Sequence, residues 1–331
     1  MEYSVTNMFA EKIDENVYVK AFVEGAKTEQ RGNPLDGTTT GTQSPLVSVL
    51  LASYNHERFV EASVRSVMEQ QGVSFELIVV DDGSTDGSPQ ILERLQKELG
   101  FRYVHRPNKG LVATMNELLS MANGKYFCSF SSDDVMPQGR LFVQSTYLEA
   151  NRSKPICFGQ IVRMDADGHL DSAPDPRYLS GVPEVSFADV FLGKKELHGC
   201  TEMIECETFR KLGGYSDEFV IEDFQMMLLF LSRFEPLPVL NSVCCYYRTH
   251  STNISGRKDW LYENTLKVID RYSSHKLYKQ AVRIWKSHWF SALCYSDKKE
   301  ALRKLPQLAS FSFAFFRRFP KLFIPRFLLS R

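Results

Sequence analysis

Short apolar runs alternate with longer amphipathic stretches between residues 45 and 134. The apolar runs have almost no polar break, which is typical of strands that are buried on both faces of a sheet. The stretches between them repeat apolar residues at three- and four-residue intervals, which predicts helices. The predicted strands are 46–52, 75–80, 101–104 and 126–130, and the predicted helices are 57–71, one that opens at Ser88-Pro89, and 111–122. This order of elements predicts an α/β fold with a doubly wound, mostly parallel sheet flanked by helices.

Polar clusters follow three of these strands, directly after each apolar run ends. They are Ser53-Tyr54-Asn55-His56, the acidic turn 81–86 and Ser132-Asp133-Asp134. The carboxyl ends of parallel strands lie at one edge of a sheet, where open α/β folds bind ligands, so the three clusters are expected to converge. Adjacent carboxylates such as Asp133 and Asp134 supply the oxygen ligands that a hard divalent cation prefers. Each cluster alone is also compatible with a solvated turn, and their convergence is what favours a binding site.

The N-terminal segment and the cysteines favour a cytoplasmic protein. Residues 1–44 are polar and slightly acidic, and they end in a Gly- and Thr-rich run that predicts a linker. They contain neither the positive segment nor the apolar segment of a secretory signal. No uncharged apolar run approaches the roughly 20 residues that span a bilayer. The seven cysteines have no metal-ligand spacing, and their odd number favours reduced thiols.

The distribution of charge sets the C-terminal end apart. The 331 residues are 43% hydrophobic and 24% charged, as in ordinary globular proteins, and their formal net charge is zero. From Lys276 onward there are 13 Lys and Arg against 2 Asp and Glu, which leaves 27 basic against 38 acidic side chains in the first 275 residues. An acidic body with a basic tail favours contact between the tail and an anionic surface.

The tail combines this charge with aromatic residues. Residues 257–300 predict helices, and the segment 301–331 has no acid and mixes Phe with Arg and Lys. That mixture is typical of a segment that lies on anionic lipid, so 301–331 is predicted to be a peripheral contact with the inner face of the cell membrane. Two alternatives stay open, a helix packed on the domain and a contact within a homodimer. No nucleic-acid-binding motif accompanies the tail, so nucleic acid is not an expected partner.

Several motifs resemble, in order, those of family 2 inverting glycosyltransferases, which have the GT-A fold. Residues 47–55, 79–86, 108–110 and 132–134 resemble the nucleotide-sugar domain of that family. Gly213-Gly214-Tyr215-Ser216-Asp217-Glu218, followed by Glu222-Asp223, resembles its acceptor-side motif, and Tyr247-Arg248-Thr249-His250 resembles its Y-R-x-H element. A single motif would be weak evidence, but several in the family's order make a chance match improbable.

The resemblance implies a set of residues that bind the sugar donor. Asp82 would accept the ring N–H of a uracil or guanine base, and Asp81 would support the loop. Asp133 would order the sugar or ribose, and Arg248 would pair with phosphate. The implied donor-binding residues are Ser53, Tyr54, Asn55, Asp81, Asp82, Lys109, Gly110, Asp133 and Arg248.

The resemblance also implies a metal site and a catalytic base. Asp134 and His250 would coordinate Mn²⁺ or Mg²⁺, which neutralises charge as the nucleoside diphosphate leaves. Asp223 would be the base that removes the proton of the acceptor hydroxyl, and Glu222 would hold the acceptor or the loop. Acids at a helix N-terminus are also ordinary partners of the helix dipole, and it is the resemblance that favours catalysis. Residues 198–201 are expected to line the acceptor cleft.

These inferences predict a metal-dependent inverting glycosyltransferase of bacterial cell-surface polysaccharide synthesis. It would move a sugar from a nucleoside diphosphate to a hydroxyl of a glycan or lipid-linked glycan. The implied organisation is an extension 1–44, a donor half 45–140, an acceptor half 141–256 and a helical region 257–331. The alternatives are a nucleotidyltransferase-like enzyme on a related fold and a degenerate nucleotide-sugar-binding protein. The turn Ser53–His56 lacks the Gly-rich basic loop of the former, and the intact acids Asp82, Asp134 and Asp223 argue against the latter.

Overall fold

The computed structural model describes residues 44–170, 183–310 and 312–324 of the chain. The predicted N-terminal linker up to residue 43, and the tail residues Phe311 and 325–331, lie outside the described residues. The predicted tail can therefore be followed in the structure as far as Ile324.

An eight-stranded mixed sheet forms the centre of the molecule. Its strands are β1 Val47–Ser53, β2 Phe75–Asp81, β3 Arg102–His105, β4 Tyr126–Ser131, β5 Ile156–Met164, β6 Glu184–Val185, β7 Met203–Glu205 and β8 Leu237–Arg248. Their order across the sheet is β3-β2-β1-β4-β7-β5-β8-β6. The pairs β2–β3, β1–β2, β1–β4 and β5–β8 are parallel, whereas β7 and β6 pair antiparallel with their neighbours. The predicted mostly parallel sheet is confirmed.

Twelve α-helices flank the sheet or extend it within the described residues. They are α1 Val60–Met68, α2 Ser88–Leu99, α3 Leu111–Met121, α4 Arg140–Ala150, α5 Phe187–Phe191, α6 Cys206–Lys211, α7 Glu222–Phe234, α8 Lys258–Asp270, α9 Tyr278–Ser296, α10 Lys298–Arg303, α11 Leu305–Leu308 and α12 Phe313–Arg318. A 3-10 turn, Phe319–Leu322, follows α12. The helical C-terminal region is therefore confirmed. No helix in the described ranges is both long and apolar enough to cross a bilayer.

The apolar side chains of the parallel strands point alternately to two cores, one on each face of the sheet. In β1, Val47, Val49 and Leu51 join one core, and Leu50 joins the other. Helices α1 and α2 cover the first face, and α3 and α7 cover the second. Covering both faces explains why the strands read as unbroken apolar runs rather than as alternating ones.

The elements between residues 140 and 205 are those that the sequence pattern did not predict. Strand β7 has only three residues, which is too short for a period of two to show. Strand β5 carries Gly159 and Gln160 at its centre, and a Cβ at Gly159 would lie only 2.2 Å from the Sγ of Cys244 on β8. The pairing register of β5 with β8 shifts at the same place. Because β7 joins β4 to β5, one sheet crosses the boundary predicted at residue 140, which stays a prediction.

The C-terminal helices have their own small core, built around Trp289 and Phe290 of α9. Phe315 of α12 and Leu322 of the 3-10 turn are buried in it. Phe313 lies in the same helix as Phe315 but is 82% exposed. The described part of the tail therefore packs on the molecule through some of its apolar residues and presents others to solvent.

Candidate active site

Three strand-end turns lie side by side at one edge of the sheet. In the parallel register Ser53 pairs with Asp81, and Ala52 pairs with Ser131. The last residues of β1, β2 and β4 are thus neighbours, and the polar residues that follow them share one edge. Such an edge is the usual ligand-binding position of open α/β sheets.

The turn after β1 is joined by hydrogen bonds to the turn after β2. Asn55 has a left-handed backbone with φ of 55°, a conformation that Asn tolerates better than most residues. Its Oδ1 accepts a bond from Thr85 N at 2.8 Å, and its N donates to Ser84 Oγ at 2.8 Å. Tyr54 beside it is 48% exposed. The hydroxyl of Ser53 is buried without a hydrogen-bond partner among the described residues, which marks a polar atom available to a ligand.

Asp81 and Asp82 hold the protein's own loops in this structure. Asp81 is fully buried and accepts bonds from Ser84 N at 2.8 Å, Ser84 Oγ at 2.6 Å and His105 Nδ1 at 2.9 Å. This agrees with a loop-supporting position, although no role was expected for His105. The carboxylate of Asp82 pairs with the guanidinium of Arg106, a partner that the sequence analysis missed.

Lys109 and Gly110 contact Asp82 through their backbones. Lys109 N donates to Asp82 Oδ1 at 2.8 Å, and Gly110 N donates to Asp82 Oδ2 at 2.9 Å. Arg106 also pairs with Glu117 at 2.8 Å, which fixes the segment 106–110 on α3. The two predicted donor-binding residues therefore reach the edge as parts of a loop that Asp82 organises.

Asp133 lies in a cluster with two histidines. Its Oδ2 is 3.0 Å from Nε2 of His250 and 3.8 Å from Nε2 of His56. The other ring nitrogens contact Ser132 Oγ and Thr252 Oγ1, each at 2.8 Å, and these contacts orient the rings. One ligand atom from each of His56, Asp133 and His250 lies within 4.8 Å of the other two.

The electrostatics of this cluster favour an ionised carboxylate at Asp133 and a neutral ring at His56. Burial acts to raise the pKa of Asp133, but the hydrogen bond from His250 and the charges of both histidines outweigh it and lower the pKa. Burial lowers the pKa of His56, which keeps its ring neutral and able to bind a cation. The sequence analysis missed His56 as a ligand because its partners are 76 or more residues away in the chain.

The structure separates Asp134 from His250, in contrast to the predicted metal pair. Asp134 Oδ1 accepts a bond from Arg248 N at 2.8 Å, and Oδ2 lies 3.4 Å from Cys245 Sγ. Burial and the neighbouring charge of Asp133 raise the pKa of Asp134 well above its usual range. The two adjacent carboxyls leave the turn in different directions, so only Asp133 reaches His250. Among the described residues, Asp134 groups with Cys200 and Cys245 instead.

Arg248 contacts backbone carbonyls rather than an open phosphate site. It is 5% exposed, and its Nε donates to Asp133 O at 2.7 Å. Its Nη1 lies 3.3 Å from the carbonyl oxygens of both Asp165 and Ala166, and its guanidinium stands 4.9 Å from the ring centre of Phe59. In this geometry Arg248 braces the turn that carries Asp133, which differs from the predicted contact with phosphate.

Glu222 and Asp223 form the first turn of α7, at the predicted position of the base. Asp223 Oδ1 accepts a bond from Phe224 N at 2.6 Å. Burial and the charge of Asp223 raise the pKa of Glu222 to about 8, and burial raises the pKa of Asp223 as well. Raised carboxyl pKa values bring proton affinity closer to neutral pH, as a general base requires.

Gly199, within the segment 198–201 that was expected to line the acceptor cleft, and Glu202, which sequence reasoning missed, complete the surroundings of Asp223. A Cβ at Gly199 would lie 2.6 Å from Cβ of Asp223 and 3.2 Å from its Oδ2, so only glycine leaves room for this carboxyl. Glu202, 1% exposed, accepts a bond from Ser129 Oγ at 2.5 Å. Burial, with the charge of Asp223, raises the pKa of Glu202 to about 8. A single glutamate before a three-residue strand has no sequence pattern that would identify it as a site residue. The expectation that 198–201 line the acceptor cleft did include Gly199.

The fold and this edge define an α/β protein of the GT-A type, with acidic strand-end turns and a carboxyl pair on a facing helix. Residues 48–210 match the model of Glycosyl transferase family 2. TuaG of Bacillus subtilis, which is named for teichuronic acid biosynthesis, is 32% identical over 218 residues, or 65% of this chain and 83% of TuaG. The chain belongs to glycosyl transferase family 2.

Other relatives and solved structures agree with this assignment. EpsE of Bacillus subtilis, also named as a glycosyltransferase, is 32% identical over 174 residues, which cover 52% of this chain and 60% of EpsE. Residues 1–349 of Staphylococcus aureus TarS, in complex with UDP-GlcNAc, superpose with a TM-score of 0.58 at 17% identity over 83% of this chain and 80% of TarS. The mannosyltransferase PcManGT of Pyrobaculum calidifontis, in complex with GDP-Man and Mn²⁺, has a TM-score of 0.54 at 15% identity over 88% of this chain and 84% of its own. At these identities the structures establish the fold.

Proposed function

We propose that this chain is a metal-dependent inverting glycosyltransferase that acts in bacterial cell-surface polysaccharide synthesis. It would transfer a sugar, a hexose or its derivative, from a nucleoside diphosphate to a hydroxyl of a glycan or lipid-linked glycan. The observation that carries the proposal is the arrangement at the shared sheet edge. There the possible metal ligands His56, Asp133 and His250 stand beside the polar strand-end turns, and α7 supplies the carboxyl pair. The names of TuaG and EpsE, and the donors in the TarS and PcManGT structures, support it.

For the donor nucleotide, we assign the loops held by Asp81 and Asp82. Asp82 Oδ2 accepts a hydrogen bond from Gly110 N, and a carboxylate oxygen has a second lone pair for the ring N–H of a base. Ser53 Oγ offers a further partner, and the exposed ring of Tyr54 offers a face for stacking.

For the metal, we assign Asp133, His250 and His56 as the residues that hold it. One carboxylate and two neutral imidazoles suit Mn²⁺ better than Mg²⁺, which prefers oxygen ligands. When bound, the ion supplies positive charge that neutralises the leaving diphosphate. Asp134 would act on the other side of the turn, where it holds the backbone of Arg248 and so fixes the position of Asp133.

For the proton transfer, we assign Asp223. Its carboxylate would take the proton of the acceptor hydroxyl while the oxygen of that hydroxyl forms a bond to the anomeric carbon. The bond from that carbon to the diphosphate breaks at the same time and its electron pair leaves with the phosphate, so the anomeric configuration inverts. Glu222 would hold the acceptor, with its own proton retained near neutral pH because of its raised pKa.

The first test replaces Asp223 by Asn, which keeps the shape of the side chain and removes its basicity. Asp223→Asn is expected to lower kcat by about 10²- to 10⁴-fold, because general-base catalysis contributes that much. Binding of the nucleoside diphosphate should stay near that of the wild type. Asp270→Asn changes an exposed acid at the end of α8 and serves as the matched control. Retained turnover in Asp223→Asn would remove Asp223 as the base.

The product of the reaction separates the proposal from its alternatives. A transferase releases a nucleoside diphosphate and leaves the sugar on the acceptor. A nucleotidyltransferase would consume a nucleoside triphosphate and release pyrophosphate, and a degenerate binding protein would bind the donor and release neither. Phosphorus NMR distinguishes the three outcomes when the reaction mixture contains the acceptor, the nucleoside triphosphates and UDP-, GDP- and dTDP-sugars, and when the Mn²⁺ is removed with EDTA before the spectrum is recorded.

A further inference from the structure

A cavity of about 350 Å³ lies between helix α9 and the end of the chain that the structure describes. It is formed by one face of α9, by α8 and by the segment from α12 to the 3-10 turn. The side chains that matter for its chemistry are Tyr262, His288, Tyr295, Arg317, Arg318 and Lys321. The cavity belongs to the C-terminal helices and shares no residue with the strand-end turns or with the carboxyl pair of α7.

The cavity is strongly cationic. Three basic side chains, Arg317, Arg318 and Lys321, line it, and none of its lining residues within the described ranges is acidic. Lys321 Nζ is held by Ser291 Oγ and Tyr295 Oη, each at 3.0 Å. Those partners are neutral, so the positive charge is directed into the cavity without being cancelled.

The crowding of positive charge is visible in neighbouring groups. Burial and the charge of Arg318 lower the pKa of His288 to about 4. Burial, followed by the charge of Arg317, lowers the pKa of Arg318. An anion in the cavity would reverse both effects, since a nearby negative charge stabilises the protonated form of a base.

Exposed apolar side chains surround the same part of the molecule. Of nine large hydrophobic side chains that are exposed in the described ranges, six lie between residues 295 and 324. Phe313 and Phe316 are 82% and 57% exposed, and Phe323 is 72% exposed. Helical spacing places Arg317 on the face of α12 that carries Phe313 and Phe316. The cationic cavity therefore stands next to a group of exposed aromatic rings.

This surface is held in place by other residues of the same segment. The ring centre of Phe315 lies 5.0 Å from that of Phe290 on α9, and Phe319 stacks on Phe290 at 6.1 Å. Lys298 Nζ donates to the carbonyl oxygens of Leu322, at 2.9 Å, and of Ile324. The exposed rings are thus presented outward by a segment whose remaining apolar residues already fill the core.

We propose that this cavity binds the phosphate of an anionic phospholipid headgroup while Phe313, Phe316 and Phe323 enter the interfacial layer of the same membrane. Basic residues that meet lipid phosphate beside aromatic rings that prefer the headgroup region are the two components of interfacial binding. The inference is independent of the sugar transfer, since it concerns where the protein lies rather than what its sheet edge catalyses. For a transferase that acts on a lipid-linked acceptor, it would hold the enzyme at the surface where that acceptor is found.

The test compares two variants of the full chain that lose the same charge. Arg317→Gln/Lys321→Gln changes the cavity, and Lys279→Gln/Lys299→Gln changes two exposed lysines on α9 and α10. Co-sedimentation is measured with phosphatidylcholine vesicles that contain or lack phosphatidylglycerol. The cavity variant is expected to bind the anionic vesicles about 30-fold more weakly than the wild type, because each basic residue near an anionic surface contributes about fivefold. The control variant should lose much less.

Further measurements distinguish a lipid-binding site from general charge attraction and from a site for a small soluble molecule. Equal losses in both variants would show general charge attraction and overturn the proposal. Binding of soluble glycerol phosphate with no binding to vesicles would identify a small-molecule site and also overturn it. Phe316→Ser should weaken binding to anionic vesicles without changing the affinity for glycerol phosphate. Arg317→Gln alone, at an exposed position, provides the same comparison if the double variant proves unstable in thermal unfolding.

Discussion

At the scale of single residues, Glu222 and Asp223 share one helix terminus, and the charge of Asp223 makes ionisation of Glu222 less favourable. The charge of Asp223 helps to raise the pKa of Glu222 to about 8, and two interacting carboxyls titrate as a pair. A base acts only in its ionised form, so kcat should rise with pH as Asp223 loses its proton. The acid limb of the pH profile therefore reports the ionisation of Asp223.

Replacement of Glu222 by Gln tests this coupling. Glu222, with a pKa of about 8, keeps its proton while Asp223 ionises, so a neutral Gln at this position should leave the pKa of Asp223 and the acid limb of the kcat profile unchanged. The measurement is kcat against pH at saturating donor and acceptor. Glu207→Gln, which changes an exposed glutamate on α6, should leave the limb in place. An acid limb that moves to lower pH in Glu222→Gln would show instead that Glu222 is already ionised when Asp223 loses its proton.

The same scale shows why some site residues could be predicted and others could not. Asp81, Asp82 and Asp133 follow apolar strands directly, so the sequence alone placed them at a strand end. His56, Arg106 and Glu202 act through partners that are 24 to 76 residues distant, and only the folded chain brings these together. The choice between Asp133 and Asp134 depended on the direction of two adjacent side chains in a turn, which spacing does not determine.

At the scale of elements, the first four strands and their helices were predictable because the strands are short apolar runs, the helices repeat apolar residues with a helical period, and polar turns separate them. The middle of the chain was not, since β7 is too short and β5 is interrupted by Gly159. Yet β7 links the elements that carry the proposed catalytic residues. It pairs with β4, and its preceding turn places Gly199 against the first turn of α7.

The contact between Gly199 and Asp223 gives a prediction at this scale. Gly199→Ala should push the carboxyl of Asp223 out of position, because the new Cβ would lie 2.6 Å from that of Asp223. Misplacement of a catalytic group by about 1 Å can lower the rate by about 10²-fold, so kcat should fall steeply while the donor KM stays near that of the wild type. The measurement is steady-state kinetics with the donor varied.

Gly256→Ala is the matched control for this substitution. Gly256 also lies in a 3-10 turn, and a Cβ there would meet no atom within 4 Å. Wild-type kinetics are expected for it. If Gly199→Ala lowered kcat no more than Gly256→Ala does, the turn before β7 would not position the base. Thermal unfolding of both variants checks that any loss does not come from a destabilised fold.

At the scale of the whole molecule, the residues proposed to bind the donor and those proposed to transfer the proton come from different parts of the chain. The edge proposed to bind the donor is built by residues 45–134 together with the histidine that follows β8, and α7 supplies the carboxyl pair. The sheet unites them, since β7 pairs with β4 on one side and β5 on the other. The structure also gives the basic C-terminal end of the sequence a defined location, because Arg317, Arg318 and Lys321 line one cavity.

Ligands that bind the folded protein also stabilise it, so thermal unfolding can test whether the nucleotide and the metal bind together. A ligand that binds only the folded state stabilises it by about 2.7 kcal/mol at 100 times its Kd. For a protein of this size, that corresponds to an increase in Tm of about 5 °C. The matching nucleoside diphosphate should therefore raise Tm when Mn²⁺ is present and raise it much less in EDTA. An equal increase in both conditions would show that the metal plays no part in binding.

Two isosteric variants then decide which aspartate holds the ion. Asp133→Asn removes the carboxylate that faces His250, so the extra stabilisation by Mn²⁺ should disappear. Asp134→Asn keeps an oxygen that can accept the bond from Arg248 N, and the raised pKa of Asp134 already favours its neutral form, so the effect of Mn²⁺ should remain. The opposite result, with Mn²⁺ effective in Asp133→Asn and ineffective in Asp134→Asn, would return the metal to the pair Asp134 and His250. It would also mean that the turn after β4 rearranges when the ion binds, because in the present geometry only Asp133 reaches the imidazoles of His56 and His250.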